Sequence, residues 1–311
     1  MQIALAISLG MGVTGEAVRN RFRRGAAWAQ ARFWQCADIG LMMRLCRLPV
    51  TPGVRALRDR LRGVTCERLR RELVDMPDGI GYPVAMRRRT MLDAAVCSAA
   101  PSVMPMLEAC AAQLDEAMLR ASRRGVPPVL APLHVCSDIT ATVVAALTTP
   151  RRTHVFSIYG QERIGFMEAR HLQAHGITVI QHAPDASPGA HRAIMRELRE
   201  RAANLVIFPD ILPQFSEAYL GYPMRTRDVS LFGRQARLHV GAETFARMAG
   251  GGILPFYVHW EADRLAICIF DACDDLDDVA RCLEQALRAH GDQWLLWHYA
   301  SLFYFNDSAE R

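Results

Sequence analysis

The richest local constellation in the chain is Leu133-His134-Val135-Cys136-Ser137-Asp138. It follows an apolar run, Val129–Leu133, that reads as a strand. It opens a pattern, Asp138–Leu147, that reads as a helix. In α/β proteins ligands gather at the carboxyl ends of strands. An imidazole there, with a carboxylate one helical turn later, makes a general base and its orienting group, because residues i and i+4 share a helix face. The carboxylate holds one imidazole tautomer and stabilises the imidazolium formed on proton transfer. The same residues also fit a plain helix start, with Ser137 or Asp138 as the cap beside an incidental His. Cys136 is a second candidate nucleophile. Nothing around it marks a lowered thiol pKa, so a small buried hydrophobe is the plainer reading. His171 and His175 stand at i, i+4, a metal-ligand spacing, but no third ligand is near in sequence, and no metal is expected.

The elements that must position these groups differ along the chain. Up to about residue 125 the pattern is helical: Glu16–Leu48 ended by Pro49 and Pro52, then Val54–Leu73, Met86–Ala95 and Ser102–Arg123, with Met76–Pro83 as a loop. From residue 128, short apolar runs alternate with amphipathic stretches. Strands are expected at Val129–Leu133, His154–Ile158, Thr178–Gln181, Leu205–Phe208, Ile253–His259 and Leu265–Phe270. Helices are expected at Asp138–Leu147, Glu162–His175, Ala190–Ala203, Ala242–Ala249 and Asp275–His290. This alternation predicts an α/β fold with a mixed, largely parallel sheet flanked by helices and led by a helical N-terminal part. The pair Ile253–Phe270 reads as a hairpin turned at Glu261-Ala262-Asp263. No linker separates the parts, so residues 1–311 are expected to form one domain, 1–125 basic and helical and 126–311 the α/β core.

All 37 basic residues are Arg, against 32 acidic residues. Residues 1–124 carry 20 Arg and 11 acids, and residues 125–311 carry 17 Arg and 21 acids. A basic half beside a weakly acidic half suggests an anionic partner. The paired and tripled arginines, such as Arg70-Arg71 and Arg87-Arg88-Arg89, also fit solvated helix faces. Trp28, Phe33 and Trp34 among the N-terminal arginines suit a membrane interface or base stacking. No nucleic-acid module appears, so lipid ranks above nucleic acid. The nine cysteines form no C-x-x-C pair, which reads as reduced thiols in a cytoplasmic compartment. No run of about 20 apolar residues is present, which excludes an integral multi-span protein. Met1–Val13 is apolar but lacks the basic start and cleavage site of a secretory signal.

Several weaker pieces follow. Asn204–Asp210 (NLVIFPD) reads as a buried strand ending in Asp. Leu231-Phe232-Gly233, Gly241-Ala242-Glu243 and Gly250-Gly251-Gly252-Ile253-Leu254-Pro255 come next. Their glycines permit tight turns, but neither G-x-G-x-x-G nor G-x-x-x-x-G-K-[ST] is present.

Taken in order, these blocks resemble the late acyltransferases of lipid A biosynthesis, within the lysophospholipid-acyltransferase-like group. The resemblance runs from about residue 15 to 303. It comprises the Arg- and aromatic-rich lead, the strand-then-His segment Val129–Asp138, and the strand ending at Asp210. It continues through Leu231-Phe232-Gly233, Gly241-Ala242-Glu243 and Ile253-Leu254-Pro255-Phe256 to Gln293-Trp294-Leu295-Leu296-Trp297-His298. The family joins a fatty acyl group, carried as a thioester on acyl carrier protein or coenzyme A, to a hydroxyl of a lipid or glycolipid, with no other cofactor.

The resemblance implies a glycerolipid-acyltransferase-like fold at the cytoplasmic face of a bacterial inner membrane, peripheral or shallowly anchored. It implies His134 as general base, Asp138 as its orienting acid and Arg163 as a catalytic cation. It implies Asp210, Phe232, Gly233 and Glu243 as substrate-binding residues. Two departures stand out. The family places its acid five positions after the His, where this chain has Ile139, and no Arg directly follows the next strand, Arg163 being the nearest. A lipid- or carrier-binding relative without activity, and a (thio)esterase using the same His/Asp pair, are the alternative readings.

Overall fold

The structure is a computed structural model and describes residues 32–48, 54–74, 79–123, 125–158 and 172–297. Its centre is a six-stranded mixed sheet in the order β3-β2-β4-β1-β7-β8. The strands are β1 (Val129–Pro132), β2 (Arg152–Phe156), β3 (Thr178–His182), β4 (Asn204–Ile207), β7 (Ile253–Glu261) and β8 (Arg264–Ile269). All neighbours pair in parallel except β7 and β8. A separate antiparallel hairpin joins β5 (Thr226–Leu231) to β6 (Arg234–His239). The architecture is thus the expected α/β sheet flanked by helices, with a helical N-terminal region.

The helices in chain order are α1 (Ile39–Leu45), α2 (Val54–Val74), α3 (Tyr82–Cys97), α4 (Met104–Ala121), α5 (Asp138–Leu147), α6 (Pro188–Arg199), α7 (Pro213–Leu220), α8 (Gly241–Ala249) and α9 (Leu276–His290). β1 and β4 are buried along their whole length, as strands covered on both faces must be. Behind them, α5 is almost wholly buried, and Ser137 caps it by accepting the Thr140 N–H at 2.9 Å. Asn204 opens β4 by donating its amide to Thr148 Oγ1 and the Thr149 carbonyl.

Most expected elements sit within two or three residues of their places. Three differ. The lead expected as one helix over Glu16–Leu48 is interrupted at Ala37 and Asp38, where the Asp38 carboxylate accepts the Leu41 N–H and starts α1 afresh. Its residues before 32, and most of the helix expected over Glu162–His175, lie outside the described residues. The β5–β6 hairpin and α7 were not foreseen. The hairpin turns at Phe232 and Gly233, with φ of 53° and 71°, the left-handed pair that a two-residue hairpin loop demands. The foreseen hairpin does turn at Ala262 and Asp263, also with positive φ. Among the described residues no helix is long and apolar enough to cross a membrane.

The last described segment locks the sheet edge to the loop after β1. Gln293 is buried, accepts the Trp260 N–H at 2.8 Å and donates to the Trp260 carbonyl at 3.1 Å. Its own carbonyl accepts the Cys136 N–H at 2.9 Å. Replacing Gln293 by Ala leaves both backbone groups of Trp260 buried without partners, at ~1–3 kcal/mol for each such group. Gln293→Ala should therefore lower the melting temperature by several degrees, read by calorimetry. An unchanged melting temperature would show that the bridge carries no stability.

Candidate active site

β1 and β4 are adjacent and parallel, so their carboxyl ends open on the same edge of the sheet. The chain leaves β1 into His134 and leaves β4 into Asp210. The two residues are 76 apart in sequence and meet there. Asp210 Oδ1 lies 2.7 Å from His134 Nδ1, and Asp210 Oδ2 accepts the His134 backbone N–H at 2.9 Å. The Trp294 indole donates to Oδ2 at 3.0 Å. Asp210 is completely buried. A buried carboxylate accepting at both oxygens is an acceptor only, so the proton on that side of the ring belongs to Nδ1 and the lone pair to Nε2. Phe208 packs on the imidazole with ring centroids 4.6 Å apart.

His134 lines a cavity of about 400 Å³ over the carboxyl ends of β2 and β4. Its apolar lining includes Val155, Phe156 and Ile158 from the end of β2, Ile207, Phe208 and Ile211 from the end of β4, and Phe245 from the middle of α8. The lining is chiefly apolar, and the volume lies in the range of small-ligand sites. Arg225 is the one arginine on the wall among the described residues. His239 also lines it, held through Nε2 at 3.0 Å from Ser216 Oγ.

The expected orienting role of Asp138 is corrected by this arrangement. Asp138 lines the same cavity, but its Oδ1 takes the Arg89 guanidinium at 2.6 Å, and the carboxylate on His134 Nδ1 is Asp210. The spacing of His134 and Asp138 does not place them on one helix face, because α5 begins only at Asp138. Asp210, expected to bind substrate, instead sits behind the imidazole.

Phe232 and Gly233, expected to bind substrate, lie elsewhere. They form the tip of the β5–β6 hairpin, where the Phe232 N–H is taken by Glu284 and the Arg288 guanidinium lies 5.1 Å from the ring. Neither lines the cavity. Glu243 does not line it either and pairs with Arg227 at 2.8 Å. Arg163 and His171 lie outside the described residues, and His175 is exposed. The apolar walls and Arg225 were missed, since nothing local in sequence shows which hydrophobes share a cavity.

Cys136 occupies the loop at φ 62° and is buried, which pushes its thiol up to about 12. Burial there favours the thiol over the nucleophilic thiolate.

Compared with known proteins, the chain matches no family model and no curated sequence.

Two tests follow from this geometry. Asp210→Asn removes an acceptor oxygen from a set of three donors. It should cost about 3 kcal/mol of stability, and ¹⁵N NMR should show His134 losing its single Nδ1–H tautomer. Asp138→Asn should leave that tautomer intact, and the reverse pattern would restore Asp138 as the orienting acid. The second concerns acid. Burial holds the His239 imidazole down at about 4, from an ordinary value of 6.5. Between those values the unfolded chain binds more protons than the folded one, so stability falls as pH drops through that window, by about 3 kcal/mol from His239 alone. Denaturant unfolding at pH 7 and pH 4 should show the loss, and His239→Gln should shrink it.

Proposed function

We propose that the protein is an acyltransferase that moves a fatty acyl group from an acyl thioester to a hydroxyl of a lipid or glycolipid at a membrane surface. The observation that carries the reading is His134. Its Nδ1 is held by a buried carboxylate, and its ring lines a mostly apolar cavity of about 400 Å³. A base with one nitrogen pinned leaves the other free to move a proton, and an apolar wall suits an acyl chain, at about 0.8 kcal/mol for each CH₂ it buries.

In this mechanism Nε2 of His134 takes the proton of the acceptor hydroxyl. The oxygen attacks the thioester carbonyl and forms a tetrahedral intermediate. Its collapse breaks the carbon–sulfur bond, and the departing sulfur regains the proton from His134. Products are the ester and the free thiol of the carrier. Asp210 stabilises the imidazolium between the two transfers. Arg225 is the wall cation available to a developing negative charge or an anionic head group. Arg163 remains the candidate offered by the resemblance. No acyl-enzyme is required, which agrees with the buried thiol of Cys136. The donor is acyl carrier protein or acyl-coenzyme A.

The surface supports a peripheral location. Leu41, Leu45 and Leu48 are exposed at and just beyond α1, beside Arg44 and Arg47. Exposed leucines with interleaved arginines match an anionic bilayer interface. The cytoplasmic face of a bacterial inner membrane is where this reading places the protein.

His134→Asn is the deciding variant. The Asn amide can still donate to Asp210, but the base nitrogen is gone. With acyl carrier protein and coenzyme A thioesters and a total bacterial lipid extract, mass spectrometry should find an acylated lipid. Its formation should fall by about 10³-fold in the variant, with little change in melting temperature. Wild-type turnover by His134→Asn, or release of free fatty acid alone, would refute the proposal.

A further inference from the structure

A second polar site lies away from the cavity, where α1, α3 and the β7–β8 turn meet. A notch of about 230 Å³ is lined there by Arg44, Arg47, Arg88, Trp260, Ala262 and Asp263. Arg88 is only 7% exposed. Its Nε donates to the Met43 carbonyl at 3.4 Å, and its two terminal nitrogens have no hydrogen-bond partner among the described residues. The one carboxylate on the lining, Asp263, is engaged by Arg44 at 3.5 Å. Arg47 has no carboxylate partner among the described residues. The indole N–H of the buried Trp260 has no acceptor either.

Three guanidiniums thus share the notch with one lining carboxylate, and Asp292 acts on Arg88 from outside the lining. Burial first, then the neighbouring Arg47 charge, hold the Arg88 guanidinium below its ordinary pKa against the opposing pull of Asp292. A buried cation is costly unless an anion pairs with it. Its neighbour on α3, Arg89, is by contrast satisfied by Asp138. Successive residues of one helix therefore serve two different places.

We propose that the Arg44/Arg47/Arg88 notch binds a phosphate group. The excess of guanidiniums over lining carboxylates suits an anion such as a phosphate monoester. The planar guanidinium fork fits phosphate oxygens in pairs. A notch of this size has room for a phosphate and for part of the group that carries it. The carrier of that phosphate is either a lipid head group or a soluble phosphate. The proposal does not rest on the acyl-transfer reading, since it uses neither His134 nor the cavity.

Calorimetric titration of the full chain with inorganic phosphate, against chloride at equal ionic strength, tests it. Saturable binding is expected, weakened at least tenfold in the double variant Arg44→Gln/Arg47→Gln, whose side chains are exposed and replaceable without disturbing the core. No saturable binding, an equal response to chloride, or wild-type affinity in the double variant overturns the proposal. Once phosphate binding is established, co-sedimentation with phosphatidylglycerol vesicles separates the sources. Release from vesicles by saturating phosphate identifies the lipid head group. Phosphate binding without such release identifies a soluble phosphate.

Discussion

The buried carboxylate of Asp210 gathers three donors: the His134 backbone N–H, the His134 ring and the Trp294 indole. An unpaired carboxylate in that position would be expelled or protonated. Satisfied at both oxygens, it fixes where the loop after β1 sits, how the imidazole is turned and where the C-terminal segment crosses the sheet. The parallel pairing of β1 with β4 makes the meeting possible, because it delivers both residues to one edge. The imidazole is therefore oriented from behind, and its other side is left to the cavity.

The rest of the molecule arranges what surrounds that point. The ends of β2 and β4, the first turns of α5 and α8, and the segment from Tyr222 to Arg225 close an apolar cavity around His134. The hairpin β5–β6 sits at one side and is tied to α9 through Phe232 and through Arg227, which also meets Asp277. Phe232 and Glu243, expected at a substrate site, make these tertiary contacts instead of lining the cavity. The arginines divide in the same way: Arg89, Arg152 and Arg227 have carboxylate partners, whereas Arg47 and Arg88 face a notch that has too few.

Much of the sheet was legible because β1, β4 and much of β7 are apolar runs and α5, α6 and α9 start at side-chain caps. The helix Asp138–Leu147 could be placed to the residue, since Ser137 and Asp138 end an apolar strand and open a helical period. His134 was legible for the same reason, as the polar residue at the exit of a buried strand. Its partner was not. Short-range spacing favoured Asp138, while the contact that forms depends on strand order, which no local pattern encodes. The hairpin over Thr226–His239 alternates polar and apolar residues around Phe232-Gly233. That signal for a turn was present, but the residues were read as part of a binding block.

The C-terminal bridge has a consequence for how the chain comes to life during synthesis. The Trp294 indole reaches Asp210, the Gln293 carbonyl takes the Cys136 N–H, and the Leu295 N–H reaches the His134 carbonyl. These groups are made more than a hundred and fifty residues after the loop they fasten. A chain translated short of Gln293 can already pair His134 with Asp210, but it lacks the three bonds from the C-terminal segment. The loop that carries His134 therefore receives its last fastening from residues translated long after it.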